Sequence, residues 1–244
     1  MRKSKFVLAM IAAMMVSGAA FAGEHGNAAN GKTIFTQGKG NAPACGSCHG
    51  ENAEGNDGMG APRLSNLGQA YTVKQLTDLA ADKRTPQGAG AVMPMFAKEL
   101  SEQDRRDVAA YLDSFDPKKV DKSNLKELGV PNEAVSKGKE IVMYGRADGK
   151  VPACQSCHGF NGRGAAPVYP VIGQQRYVYL TNQLKAWRAG AVDAKDPNGR
   201  ANDPMGQMRA VAKNMTDDEI TYVAAFLSQA PRTTMGNSRV PDNH

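Results

Sequence analysis

The string ACGSCHG at Ala44–Gly50 returns 109 residues later as ACQSCHG at Ala153–Gly159, and this repetition constrains the chain more than any other feature. Each copy sets two cysteines two residues apart with a histidine directly behind the second. The copies sit inside a longer repeat. YTVKQL (Tyr71–Leu76), VMPMFAKELSEQD and DVAAYL (Asp107–Leu112) follow the first; YLTNQL (Tyr179–Leu184), GQMRAVAKNMTDDE and YVAAFL (Tyr222–Leu227) follow the second in the same order. Self-similarity on this scale marks one domain of about 100 residues written twice.

Four chemistries use closely spaced cysteines. Exported cysteines usually pair as disulfides, but four in 244 residues is sparse for a disulfide scaffold and leaves the histidines unexplained. A thioredoxin-like redox motif expects a strand–helix context that is missing here. Zinc would leave each Cys-Cys-His set one ligand short of four. CxxCH is the signature of covalent c-type haem attachment, and that reading accounts for every residue of the string. Cys45 and Cys48, like Cys154 and Cys157, would bond the two vinyl groups of one haem, while His49 or His158 reaches the iron. Two covalent haem c groups also answer a packing problem, because the loops are rich in Gly and Pro and too poor in apolar residues to form a core alone.

An iron held by one histidine has a second face to fill. The chain has four histidines, and the two outside the motifs, His25 and His244, lie near the ends of the mature chain. Methionine is then the natural sixth ligand. Superposing the repeats selects which: Met93 stands 8 residues before Ser101 and 18 before Tyr111, and Met208 stands 8 before Thr216 and 18 before Phe226. Met95 and Met205 are the reserves, whereas Met59, Met143, Met215 and Met235 have no equivalent in the other repeat. A ligating histidine usually donates its other ring N–H to a backbone carbonyl. Pro62 in the first repeat, and Pro167 or Pro170 in the second, stand at the right distance to present one.

The rest of each repeat reads as helices joined by long loops, an all-α fold. SEQDRRDVAAYLDSF opens with a Ser cap and acids in its first turn, and puts Val108, Tyr111 and Leu112 on one face. TDDEITYVAAFLSQA repeats the device with Thr216, Ile220, Val223, Phe226 and Leu227. Shorter helices are predicted at NAANGKTIF and NEAVSKGKEIVMYG, with Gly31 and Gly138 permitting close crossings against Tyr111 and Phe226. No stretch alternates long enough to require a strand.

Residues 1–22 combine a basic start, an apolar run and AFA at Ala20–Ala22, the pattern of a cleaved secretory signal. The mature chain is expected to be exported and soluble. Its organisation reads as domain 1 over 23–115, a Lys- and Asp-rich linker over 116–135, domain 2 over 136–230 and a loose tail over 231–244. The signal takes Arg2, Lys3 and Lys5 with it, so 27 basic residues face 24 acidic ones in the remainder. Residues 23–115 hold 9 bases and 11 acids, residues 136–244 hold 14 and 9. The halves thus differ in sign, which gives the molecule a dipole. No Lys/Arg run with interleaved aromatics indicates nucleic acid.

Two CxxCH motifs, each followed by Tyr-x3-Gln-Leu and then by Met eight residues before a Ser/Thr cap, resemble the cytochrome c4 family of dihaem cytochromes. MRAVAKNMTDDEI in the second repeat is especially similar to that family's segment. The resemblance implies two class I cytochrome c domains related by pseudo-twofold symmetry, and a periplasmic, monomeric electron carrier rather than an enzyme. Its donor would be a quinol-oxidising complex or a dehydrogenase, and its acceptor a terminal oxidase. Peripheral membrane association stays open. The competing readings are a dihaem subunit of a larger oxidoreductase, a peroxidase, or a thiosulfate-oxidising cytochrome; peroxide chemistry wants a spare distal histidine that neither repeat supplies.

Overall fold

The computed structural model describes residues 25–115 and 121–230. The signal segment, the first residues of the linker and the tail with Met235 and His244 lie outside them. Among the described residues there are ten α-helices and no strands, only isolated bridges such as Lys39 with Ala42. The first unit comprises α1 (Ala28–Gln37), α2 (Gly46–His49), α3 (Gln69–Ala80), α4 (Met93–Lys98) and α5 (Glu102–Asp113). The second repeats it as α6 (Ala134–Tyr144), α7 (Gln155–His158), α8 (Tyr177–Val192), α9 (Gln207–Ala212) and α10 (Asp217–Gln229).

Each unit is clamped by its first and last helices. Ser101 and Thr216 close full capping boxes with Asp104 and Glu219, satisfying backbone N–H groups that the first helical turn leaves without partners. Gly31 and Gly138 then let the helices touch backbone to backbone. A Cβ on Gly31 would lie 2.0 Å from the Asp107 carbonyl oxygen, and one on Gly138 would lie 1.8 Å from that of Tyr222. Behind these crossings lie the cores. Ile34, Phe35, Leu100, Val108 and Leu112 are buried in unit one; Val142, Val151, Ile220, Val223 and Leu227 are buried in unit two. Phe35, Tyr111 and Phe115 form an aromatic trio with centroids 5.0–6.0 Å apart, a spacing favourable for tilted and edge-on pairs.

The stretch read as a linker is partly built into unit two. Helix α6 begins at Ala134, which is wholly buried. The buried Ser123 accepts from the Tyr177 N–H at 3.0 Å and, through its carbonyl, from Gln229 at 2.9 Å.

Polar contacts join the units. Asp57 of unit one accepts from the Val178 N–H at 3.0 Å, supplying the start of α8 with a carboxylate from the other domain, where the helix dipole favours one. Arg176 donates to the Glu54 carbonyl and faces Asp57 at 3.7 Å. Gln175 makes reciprocal bonds with the backbone of Arg63, at 2.7 and 2.9 Å. The buried face of α3 is accordingly polar, with Thr72, Gln75 and Asp78 beside Leu79.

Candidate functional site

Both motifs fold as a single helical turn. The His49 N–H donates to the Cys45 carbonyl at 3.0 Å and the His158 N–H to that of Cys154 at 2.9 Å, so each histidine ends the turn its cysteines begin. Gly50 and Gly159 follow at φ +81° and +71°, a region where a side chain would be strained, and turn the chain back past the imidazole.

The two imidazoles are buried and oriented alike. His49 Nδ1 lies 2.9 Å from the Pro62 carbonyl oxygen, and His158 Nδ1 lies 3.0 Å from that of Pro170. Of the two prolines open in the second repeat, the nearer in sequence, Pro167, does not take this part. A carbonyl can only accept, so Nδ1 carries the proton and Nε2 is left with a lone pair for a metal. Burial holds both imidazoles below their usual pKa, with the proline carbonyls partly offsetting it. They are neutral, the form that ligates.

The four cysteines are unpaired, so no disulfide competes for them. Burial pushes the Cys45 and Cys154 thiols up to about 11.

Met93 starts α4 and, with Cys45, Cys48 and His49, lines a crevice of about 820 Å³ in unit one. Its neighbour Met95 is 53% exposed. In unit two Met208 packs from α9 against the Leu180, Leu184 and Ile220 cluster, while Met205 is 90% exposed. Each unit therefore turns one methionine of its pair inward. In unit one, two free thiols, a neutral imidazole with its Nε2 available and an inward thioether, beside an apolar crevice, fit a haem c, and unit two repeats the same residues.

A polar cluster in the wall of the unit-one crevice has no counterpart among the sequence expectations. Arg84, Arg200, Gln75, Gln183 and Tyr179 are mutually hydrogen-bonded across the units. The trace of it in the sequence is Tyr-x3-Gln, which puts Tyr71 with Gln75, and Tyr179 with Gln183, on one helix face. The arginines lie in loops, where no periodicity marks them.

The cytochrome c family model matches residues 28–116 and 135–231. The chain is 32% identical over 238 residues to the thiosulfate dehydrogenase electron acceptor of Stutzerimonas stutzeri strain A1501, covering 97% of this chain and all of that one. It is 31% identical to cytochrome c4 of Azotobacter vinelandii, over 78% of this chain and 86% of the relative. Reduced recombinant cytochrome c4 from Pseudomonas stutzeri superposes with a TM-score of 0.66 at 26% identity, over 84% of this chain and 99% of that one. Thiosulfate dehydrogenase TsdBA from Marichromatium purpuratum gives 0.72 at 30% identity, and there 84% of this chain spans 40% of the larger one.

Tandem helical domains, each built around a CxxCH turn, define a c-type cytochrome with two covalently attached haem c groups, one per domain. The chain belongs to the cytochrome c family, among its dihaem, cytochrome c4-like members, and is an electron-transfer protein.

Proposed function

We propose that this chain is a periplasmic dihaem carrier in which Cys45, Cys48, Cys154 and Cys157 hold the haems. His49 and Met93 are the iron ligands of the first haem, His158 and Met208 those of the second. The observation that carries the reading is that both repeats build the same set: an imidazole fixed through Nδ1 at 2.9 or 3.0 Å by a proline carbonyl, and one inward methionine at the matching register. Bound haem supplies one-electron exchange at iron. The protein's share is to hold each imidazole in one tautomer and orientation, to offer the thioether, and to keep water from the ring with the buried aliphatic residues around it. A histidine and a methionine on each iron would leave no ligand place for a substrate, which supports a carrier over a peroxidase.

Export follows from the signal pattern of residues 1–22. In this reading electrons arrive from a quinol-oxidising complex or a dehydrogenase and pass toward a terminal oxidase. A second reading draws on the full-length match to a thiosulfate dehydrogenase electron acceptor: the donor is a thiosulfate dehydrogenase, with this chain as its electron-accepting subunit.

Anaerobic mixing of the oxidised holoprotein with a thiosulfate dehydrogenase and thiosulfate separates the two. Rapid reduction of both haems favours the second donor, whereas reduction only by quinol-oxidising membranes favours the first. Turnover of thiosulfate or peroxide by the purified chain alone would contradict a carrier role.

A further inference from the structure

Unit two spends 50 residues between His158 and Met208, where unit one spends 44 between His49 and Met93. The structure shows where the extra length lies. Helix α8 runs for 16 residues against 12 in α3, and the segment after it, 193–203, folds back along α8. The Arg200 N–H donates to the Ala186 carbonyl at 2.8 Å, and a Cβ on Gly190 would lie 2.2 Å from the Arg200 carbonyl oxygen, so only glycine admits this return. The segment's other side is fastened to unit one. Gln87 donates to the Pro197 carbonyl at 2.6 Å, Lys74 to the Asn202 carbonyl at 2.8 Å, and Asn202 to Asp78 at 2.7 Å. Residues Pro197 to Arg200 thereby wall the crevice of the other domain.

What the segment delivers there is charge. Arg200 is 7% exposed, lies 4.0 Å over the Trp187 ring, and donates to the side-chain carbonyls of Gln183 at 2.6 Å and Gln75 at 2.8 Å. Arg84 of unit one donates to the same two oxygens, both at 3.0 Å, and to the Tyr179 hydroxyl at 2.9 Å. Two guanidiniums, one from each domain, thus share two neutral amides. Among the described residues neither is hydrogen-bonded to a carboxylate. Asp78, the acid of the network, is occupied by Lys74 and Asn202. Burial and the neighbouring Arg84 both lower the pKa of Arg200. Burial raises that of the Tyr179 hydroxyl, but Arg84 and Arg200 more than reverse it and hold it below the ordinary phenol value. Burial lowers the pKa of Arg84, but Tyr179, Tyr71 and the nearby Asp78 more than reverse it. Two like charges drawn together with no carboxylate in hydrogen-bond contact are costly, and a planar guanidinium fork is shaped for one.

We propose that Arg84 and Arg200 jointly receive the carboxylates of the unit-one haem, so that an arginine of unit two sets the potential of the haem in unit one. The inference rests on the reading that unit one's crevice is the seat of its haem. Fixed positive charge in a dry wall favours the form of the site with the added electron, and so raises its potential. The 193–203 segment is then a positioning device: it places a cation from one domain against the cofactor of the other.

Redox titration of the holoprotein followed by its visible spectrum is the test, on wild type, Arg200→Gln, Arg84→Gln and Arg200→Lys. Met93→His identifies which of the two one-electron steps belongs to unit one. Arg200→Gln should lower the ratio of reduced to oxidised haem in that step about tenfold at a fixed potential, equivalent to about 59 mV for one electron. Arg84→Gln should act on the same step, and Arg200→Lys, which keeps the charge and loses the fork, should act less. Movement of the unit-two step, equal movement of both, or no movement in either Gln variant would overturn the proposal. So would a wild-type potential that shifts with added phosphate or sulfate, because the guanidiniums would then hold a free anion. Fewer than two haems per wild-type chain, or a Met93→His variant with both steps unmoved, would instead sink the haem-site reading and the proposal with it.

Discussion

Gly138 has no room for a methyl group: its Cβ would sit 1.8 Å from the Tyr222 carbonyl oxygen and 2.9 Å from the Phe226 Cβ. Neither neighbour is a flexible side-chain end, so α6 and α10 must part to admit one. Gly138→Ala should cost about 3 kcal/mol, at the upper end for overpacking, and lower the Tm of unit two by roughly 12–24 °C. Thermal unfolding followed in the haem bands checks this, and an unchanged Tm would show that the crossing can open freely. The crossing was legible before the fold because Gly31 and Gly138 hold the same register against Tyr111 and Phe226 in both repeats. The cysteines, histidines and inward methionines were legible for the same reason, since chemistry at fixed spacing appears twice. Arg84 and Arg200 were not. Each lies alone in a loop, at different distances from its repeat's Tyr-x3-Gln, and only the packing of one domain on the other brings them together.

At the scale of elements, caps and apolar faces announced α5 and α10, and shorter helices were expected where α1 and α6 lie. The polar buried face of α3 gave no such signal, because in sequence Thr72, Gln75 and Asp78 look like a solvated face. Helix α5 also carries a titration. Asp107 accepts from the Asn27 N–H, from Asn30 and from Gln103, each at 2.7 Å, tying α5 to the start of α1. Burial raises the pKa of its carboxyl, but these three bonds outweigh that and leave it below the usual carboxylate value. Asp104, bonded to Lys39 and Ser101, is lowered against burial in the same way. A depressed folded pKa contributes stability that is present above the unfolded value, about 4 for Asp, and is lost as pH falls through the folded one. Unit one should therefore lose stability below about pH 4. Urea unfolding between about pH 6 and about pH 3 should show a shallower fall for Asp107→Asn than for wild type. Equal slopes would mean that Asp107 is not linked to folding.

At the scale of the whole molecule, the two domains differ in charge, with 9 bases and 11 acids in residues 23–115 and 14 bases and 9 acids in residues 136–244. A dipole of this kind turns the carrier during encounter and is screened beyond a Debye length of about 8 Å at physiological salt. Electron-transfer rates with an acidic partner should fall as salt rises and when Lys and Arg of unit two are neutralised in groups. Equal sensitivity to neutralising unit one would remove the distinction between the two faces. The dipole could be counted from composition, whereas the joining surface could not, because Asp57, Arg63, Gln175 and Arg176 meet only once both domains are folded. In the proposed ligation each unit closes its own iron with one histidine and one methionine. The most direct measurement is the visible and near-infrared spectrum of the oxidised holoprotein beside Met93→Ala and Met208→Ala, with haem counted chemically in each. Two low-spin haems in wild type, and one of the two converted to a high-spin or ligand-accepting state in each variant, is the result predicted. A wild-type spectrum with a high-spin haem, or conversion by Met95→Ala or Met205→Ala instead, would contradict it.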